Sequence, residues 1–506
     1  MSDSICQPTD CFILQLPDEV LIEIIDAAAS WPDDPDCCAF YDLYACRWAL
    51  TLVCRRFHLL AVPILYSQIT LGHLLQPPQP GAADWYERSE APVEDGHNGV
   101  ANAMCLLRRS IEENPSLRPL CTEMVFDVGA CFSHLESLYR LLAVFVNTKS
   151  LRVHNGFEDT QFPQTCACLV TALANMSHLE RLAITGGRRP VKIQHVMPVL
   201  DGLTPDRYPR LKEIMLAGIV RSVLPVRIQL WVPHPSLDSW YCQRAPITRL
   251  TISDYYEQPQ TLRVLLKKPA RLEHFTYLGI RRFGWHPLDL RTLWSYLVPH
   301  MLTLETIRIG SMSNCSPHEP LTGLLSGVDF TLFERLRLLS LSYFATGSDA
   351  GESSVLAPHL ETFEWVFDAE DGRSLYLNSF GKQEEDFLWR LAAAAVSRRS
   401  ALRRINIIFR PATSISTTVS LDNGRFANGP SILMSWAHGE RETEYPWDRM
   451  DRVAREVRKF GIAVTYNKPS VTREEFDEAA HNIRQGLTDG TTRTFMPRLT
   501  VVESAP

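Results

Sequence analysis

The segment Leu304-Glu-Thr-Ile307-Arg-Ile309 carries the pattern that decides the fold of this chain: apolar, two free positions, apolar, one free position, apolar. Its fourth and sixth positions are two residues apart, which is the spacing at which side chains of a β-strand share one face. The segment therefore predicts a short strand with one buried face. A single segment of this kind can occur by chance, whereas a series of them indicates a repeated structural unit.

The same pattern occurs ten times between residues 121 and 407. The ten segments begin at Cys121, Thr148, Leu179, Leu211, Ile247, Leu272, Leu304, Leu336, Leu360 and Leu402. Consecutive fourth positions are 24 to 42 residues apart, from the shortest interval (Leu339 to Phe363) to the longest (Phe363 to Ile405). A series of this kind is typical of repeat proteins, in which each unit buries its apolar side against its neighbours.

Between these segments, apolar residues recur with helical spacing, as at Leu290, Leu293 and Leu297. Alternating short strands and helices predict an α/β fold with parallel strands. The arrangement resembles an irregular leucine-rich-repeat solenoid, with short parallel strands inside and helices outside. It departs from the usual repeat because its spacings are longer and a closing asparagine is not regular. A globular α/β domain with a doubly wound sheet is the alternative.

The N-terminal segment Leu16-Pro17-Asp18-Glu19-Val20-Leu21 has the features of a helix start. Proline fits the first helical position, and acidic residues favour the first turn. A second helical pattern runs from Ala49 to Ala61, and Pro63 is expected to end it. Short helices in about 55 residues cannot bury all this apolar surface among themselves. Part of the surface must therefore face another chain or the following domain.

Three blocks in this region resemble the F-box, and they occur in the same order as in the F-box. This variant of the motif is similar to those of fungal F-box families. The three blocks are the segment from Leu16, the segment Leu50-Thr-Leu52-Val-Cys54-Arg-Arg-Phe57, and Ala61–Tyr66. The resemblance implies docking on a Skp-type adaptor and, through it, on a cullin. The adaptor contacts that it implies are Leu16, Pro17, Val20, Leu21, Ile24, Leu52, Val53, Cys54 and Phe57. The stretch from about Ala29 to Ala45 is longer than the family usually has, and it could either loop away or obstruct docking.

Four regions follow from these patterns. Residues 12–71 form the F-box-like module, 72–116 a linker with one helix, 117–467 the repeats, and 468–506 a capping helix with a loose tail. The helix in 468–506 is predicted from the capping-box pair Thr472 and Glu475. The strand positions that do not carry the repeated apolar residues are expected to face solvent. They predict a surface that binds a target protein. The candidates on that face are Arg181, Glu213, Arg249, His274, Arg308, Glu364 and Arg404.

Composition narrows the function. The net charge of −7 over 506 residues gives no basic footprint for nucleic acid. A basic leader and a long apolar run are both absent from the sequence, which predicts a cytoplasmic or nuclear protein without membrane contact. We found no nucleophile elbow, phosphate loop or paired C-x-x-C spacing, so no catalytic residue, metal or cofactor is predicted.

The expected function is that of a substrate-receptor subunit of a Skp–cullin–F-box ubiquitin ligase, non-catalytic itself, with a target protein of unspecified identity. One alternative is a non-catalytic binding scaffold whose N-terminal helices only cap the repeats. The other is an enzyme with a groove in the repeats.

Overall fold

The structure is a computed structural model, and it describes residues 12–29, 47–71, 96–127, 135–154, 169–186, 191–220, 245–257, 259–278, 288–310, 327–346, 351–368, 380–411, 413–416, 429–432 and 444–478. The chain divides into two compact units. Unit 1 comprises Met1–Pro233 with Ser239–Pro246, and unit 2 comprises His234–Asp238 with Ile247–Pro506.

Unit 1 begins with helices and continues as alternating strands and helices. Its helices are α1 (Asp18–Ala29), α2 (Arg55–Ser67), α3 (Gly96–Glu113), α4 (Leu135–Val144) and α5 (Ile193–Asp201), with further helical turns at 47–51 and 169–173. Its strands are β1 (Gln68–Leu71), β2 (Glu123–Asp127), β3 (Ser150–His154), β4 (Arg181–Thr185), β5 (Val191–Lys192) and β6 (Glu213–Val220). Short 3-10 helices lie at Phe12–Gln15 and Pro115–Leu120.

Unit 2 has the same alternation. Its strands are β7 (Arg249–Tyr256), β8 (His274–Leu278), β9 (Thr306–Ile309), β10 (Leu338–Ser342), β11 (Thr362–Asp368), β12 (Arg404–Arg410), β13 (Thr413–Ser416), β14 (Gly429–Ile432) and β15 (Ala463–Tyr466). Its helices are α6 (Pro259–Lys267), α7 (Leu290–Leu297), α8 (Tyr343–Thr346), α9 (Glu352–Val355), α10 (Lys382–Ser397) and α11 (Pro446–Val457), with a last described helical stretch at 473–478. Short 3-10 helices lie at Val298–His300, Phe330–Leu332 and Arg458–Phe460.

All ten repeated segments lie on strands, and the main strands pair in parallel, so the predicted α/β fold with parallel strands is confirmed. The register aligns the repeats with one another. In unit 1 the fourth positions form the row Met124, Leu151, Leu182 and Ile214. In unit 2 they form the row Leu250, Phe275, Ile307, Leu339, Phe363 and Ile405.

Strand order follows chain order within each unit. Among the described strands the order is β1-β2-β3-β4-β6 in unit 1 and β7-β8-β9-β10-β11-β12-β15 in unit 2. A doubly wound sheet instead reverses its strand order at a switch point. Neither unit shows that reversal among its described strands, which argues against the doubly wound alternative.

One face of the strands forms the core. The fourth and sixth pattern positions are buried from Met124 to Ile407. In unit 2, Phe387 of α10 packs against Phe363 and Trp365 of β11, with ring centroids 6.4 and 4.8 Å apart. The helix therefore covers the face that carries the repeated apolar residues. Third positions, such as Arg181 and Arg404, directly precede the fourth ones, so they lie on the opposite face, where both are exposed.

The structure differs from the sequence-based prediction at Pro63. The helix that this proline was expected to end continues to Ser67. A proline inside a helix removes one N–H donor and frees the carbonyl four residues earlier, here that of Leu59. Both Leu59 and Pro63 are exposed, so water can reach that side of the helix and satisfy the freed carbonyl.

Two features of the last repeats are also clear. Gly461 ends the turn after α11 in the left-handed conformation, with φ of 75°, which is the conformation of a C-terminal glycine cap. Thr472 and Glu475 form the predicted capping box, because the Thr472 N–H donates to Glu475 Oε2 and the Glu475 N–H donates to Thr472 Oγ1. Over the described residues, no helix combines the length and the apolar character needed to cross a bilayer.

Candidate functional site

The N-terminal module has a small core of its own. Leu21 and Ile25 of α1 pack with Phe57 and Ala61 of α2, and all four side chains are buried. Leu21 and Ile25 are four residues apart, so they share one face of α1. This cluster holds the two helices together.

A second apolar stripe on α1 does not take part in that core. Pro17, Val20, Ile24 and Ala27 follow the spacing i, i+3, i+7, i+10, and all four are exposed. A helix of an ordinary domain buries its apolar face and turns polar residues outward. The exposed stripe is therefore available for contact with another molecule.

The turn at Leu52 and Val53, between the helical turn 47–51 and α2, also exposes apolar side chains. Leu52 and Val53 are 62 % and 58 % exposed. Two residues after Cys54, the Arg56 guanidinium donates to Asp18 Oδ1 at 2.8 Å and to the Leu16 carbonyl at 2.6 Å. These bonds hold the turn beside the first turn of α1. Because the turn adjoins α1, we treat the exposed apolar side chains of both elements as one surface, which we call the apolar docking surface: Pro17, Val20, Ile24, Leu52 and Val53.

The remaining four predicted adaptor contacts lie elsewhere. Leu21 and Phe57 are core residues and cannot touch a partner unless the module opens. Leu16 packs against that core and is half-buried. Cys54 is the N-cap of α2, where its Sγ accepts the Phe57 N–H at 3.5 Å. The sequence pattern could not separate these roles, because alternate faces of a short helix were both apolar.

Sequence reasoning missed several exposed apolar residues of the module, of which Trp48 and Leu59 are the most exposed. Trp48 lies on the helical turn 47–51 and Leu59 on α2. The missing signal was the break at Leu52 and Val53, which splits the predicted second helix and rotates its faces. The long stretch from about Ala29 to Ala45 lies outside the described residues, apart from Ala29 itself.

The module is joined to the strands without a spacer. Helix α2 ends at Ser67, and β1 begins at Gln68. Strand β1 pairs with β2 in register, with Ile69 opposite Met124. The Ser67 carbonyl also accepts the Thr122 N–H at 2.9 Å. The helices and the first strands of unit 1 are therefore parts of one packed body.

The seven predicted target-face residues differ in exposure. Arg181, Arg249 and Arg404 are exposed, whereas Glu213, His274 and Arg308 are partly exposed. Glu364 is buried instead, because its Oε1 accepts bonds from Arg308 Nη1 at 2.8 Å and Ser340 Oγ at 2.7 Å. Arg308 and Glu364 neutralise each other, so neither offers a free charge to a partner.

Titratable groups in unit 1 show what their surroundings allow. Burial raises the pKa of the Cys121 thiol to about 12, so this thiol stays protonated at neutral pH. Burial, assisted by the nearby Arg152, lowers the pKa of His154 to about 4, so its ring is neutral at that pH. Within the described parts of the chain, no group of three or more His, Cys, Asp or Glu side chains is arranged to hold a metal ion.

No model of a known protein family matches this sequence, and no curated protein is detectably similar to it.

Proposed function

We propose that this protein is a substrate-receptor subunit of a Skp–cullin–F-box ubiquitin ligase. The observation that carries the proposal is the apolar docking surface. Five of the nine residues that the F-box resemblance assigns to adaptor contact are exposed there: Pro17, Val20, Ile24, Leu52 and Val53. Clustered apolar surface beside a satisfied core is costly unless a partner covers it.

In this proposal the strands of both units form a leucine-rich-repeat solenoid, and their free faces hold the target protein. Two findings support the repeat interpretation. Strand order follows chain order in each unit, and pattern positions pair with equivalent positions of neighbouring strands. Each repeat would thus contact mainly its neighbours, as repeat proteins do.

The proposed mechanism is proximity. The ligase complex would supply the ubiquitin-charged enzyme, and this chain would hold the target near it, which raises the effective concentration of the reacting groups. The direct connection of α2 to β1 supports this role, since it fixes the docking helices relative to the first strands of unit 1.

Capture of a purified Skp-type adaptor tests the proposal. The double variant Ile24→Asp/Leu52→Asp places two carboxylates on the apolar docking surface, where desolvating them in a complex costs several kcal/mol. We expect wild-type chain to capture the adaptor and the double variant to lose capture, with an unchanged thermal midpoint. Leu59→Asp, which changes an exposed leucine that is not part of the apolar docking surface, is the matched control and should capture normally. Failure of the wild-type chain to bind the adaptor would overturn the proposal.

A binding scaffold without ligase function is the second candidate. The pairing of β1 with β2 favours it, because the module then serves as a cap on the strands of unit 1. The same capture experiment separates the two, since a cap has no reason to bind the adaptor.

The enzyme alternative would need a nucleophile beside a free base, and the hydroxyl of Ser340 does lie beside the carboxylate of Glu364. This pair does not support an enzyme, because the carboxylate oxygen that would act as the base already binds Arg308.

A further inference from the structure

One corner of unit 2 collects the ends of two helices and the starts of two strands. Helices α10 and α11 end there, and β12 and β15 begin there. The Ala463 N–H donates to the Arg403 carbonyl at 2.9 Å, which joins the two strand starts. Trp389 of α10 meets Phe460, after α11, in an edge-on contact with ring centroids 6.0 Å apart.

This corner carries a cluster of cations, which we call the basic corner: Arg398, Arg399, Arg403, Arg404, Arg458 and Lys459. Of these, Arg404 begins β12 and lies on the strand face that α10 does not cover. All six side chains are exposed, and none forms an ion pair with a carboxylate of the described residues. Two carboxylates of neighbouring segments pair with other arginines. The carboxylate of Glu361 lies 3.9 Å from Arg337, and that of Glu352 binds Arg390.

Arg399 holds a backbone conformation that favours glycine. Its φ is 54°, and it follows the C-cap of α10 as the left-handed residue. Its N–H donates to the Val396 carbonyl at 3.0 Å, and the Ser400 N–H donates to Ala395 at 2.8 Å, as in a helix-ending motif. A side chain at this position costs about 1 kcal/mol relative to glycine. Strain of this kind is often found at functional positions.

Helix dipoles explain only part of the cluster. Cations near helix C-termini are favourable, which accounts for Arg398, Arg399, Arg458 and Lys459. The dipoles do not account for Arg403 and Arg404, which lie at the start of a strand. They also leave unexplained the apolar surface beside the cations, where Trp389 and Val396 share one face of α10 and are 46 % and 49 % exposed.

We propose that the basic corner binds an acidic segment of a partner protein that carries an apolar side chain next to its Asp and Glu residues. Five of the six cations are arginines, whose planar guanidinium matches a carboxylate with two parallel hydrogen bonds. Trp389 and Val396 then receive the apolar side chain, since aromatic side chains bury a large apolar area in an interface.

The charge of the whole chain favours a short segment over a long polyanion. The protein carries −7 overall, so the cations of the corner belong to a chain whose remaining charge is net acidic. Charges more than about 8 Å apart are screened at physiological salt, and a short peptide therefore meets only the corner. A nucleic acid or a lipid surface would also face the acidic remainder. The inference concerns unit 2 and does not rest on the proposed ligase function.

Fluorescence anisotropy with the full chain tests this inference. The probe is a short labelled peptide of alternating Glu and Leu, compared with a Gln and Leu peptide that lacks charge. We expect the double variant Arg399→Gly/Arg403→Gln to bind the acidic peptide about tenfold more weakly, equivalent to about 1.4 kcal/mol. The thermal midpoint should not fall, because glycine relieves the strain at position 399.

Two further variants complete the design. Arg263→Gln/Lys267→Gln removes two exposed cations from α6 and should leave affinity within about twofold. Trp389→Ala should bring affinity for the Glu and Leu peptide down to that for a Glu and Ser peptide. Equal binding by wild type and the Arg399→Gly/Arg403→Gln variant would overturn the inference. It would also be overturned if phosphatidylserine vesicles or single-stranded DNA bound the corner in preference to the acidic peptide.

Discussion

At the scale of single residues, the Asn467 side chain makes the hydrogen bonds that a neighbouring strand would otherwise make. It follows β15, and its Oδ1 accepts the Phe409 N–H at 2.6 Å while its Nδ2 donates to the Phe409 carbonyl at 2.9 Å. The amide thereby satisfies both backbone groups of Phe409, as a paired strand residue would. The Asn467 carbonyl also accepts the indole N–H of Trp447 at 3.1 Å. Asn467 thus continues the hydrogen bonding of β12 beyond the end of β15.

Replacing Asn467 with alanine should leave the Phe409 N–H and carbonyl without their partner. An unpaired buried backbone group costs about 1–3 kcal/mol, so we expect the free energy of unfolding to fall by that amount. Urea denaturation followed by tryptophan fluorescence measures it. The neighbouring exposed Lys468, changed to alanine, should have little effect. A full-stability Asn467→Ala protein would show that water replaces the amide.

At the scale of elements, the sequence predicted the ten strands of the repeated segments. It did not predict β15 or the ion pairs between helices. The ten segments were recognisable because each strand needs only local alternation, as at Phe363 and Trp365. Strand β15 was missed because glycine at 461 replaces the apolar first position and Val464 is only half-buried. Ion pairs between helices were also beyond reach, because they join residues that are distant in the chain.

The contact between α10 and α11 is such a case. Buried Glu385 accepts bonds from Arg452 at 2.6 and 3.0 Å and from Arg449 at 3.3 Å. Arg452 also binds Glu444 at 2.7 and 2.8 Å, and this hydrogen bonding lowers the pKa of Glu444. Two carboxylates and two guanidinium groups therefore tie the helices together.

Glu385→Gln should destabilise unit 2, because two arginines would keep only one carboxylate. Breaking a buried ion pair costs about 3–5 kcal/mol, and we expect the lower end because Arg452 is partly exposed. Thermal unfolding at neutral pH provides the measurement. Asp386→Asn is the matched control, since its pair with Lys382 is exposed and should contribute less than about 1 kcal/mol. Equal losses in both variants would mean that burial of Glu385 adds nothing.

At the scale of the whole molecule, the sequence predicted which regions are helical and which carry strands, but not how these regions are joined. The three F-box-like blocks predicted helices, and the repeats predicted strands. Continuity between them could not be read, because Ile69 and Leu71 look like an ordinary extended exit until β2 is placed beside them. The sequence could not specify which apolar residues of α1 belong to the apolar docking surface. Two faces of the helix are apolar, and packing alone decides which of them is covered.

This continuity has a consequence for truncated proteins. A deletion of residues 1–71 removes β1 and leaves the edge of β2 unpaired, with the apolar core around Met124 and Phe126 opened. Unpaired strand edges promote aggregation. A deletion of residues 1–67 keeps β1 in place on β2. We expect the shorter deletion to yield more soluble protein with a higher thermal midpoint than the longer one. The variant Ile24→Asp/Leu52→Asp should match the wild-type midpoint, because it changes only exposed side chains. If the two deletions behave alike in sedimentation and thermal unfolding, β1 does not protect the strands of unit 1, and the module is only appended to them.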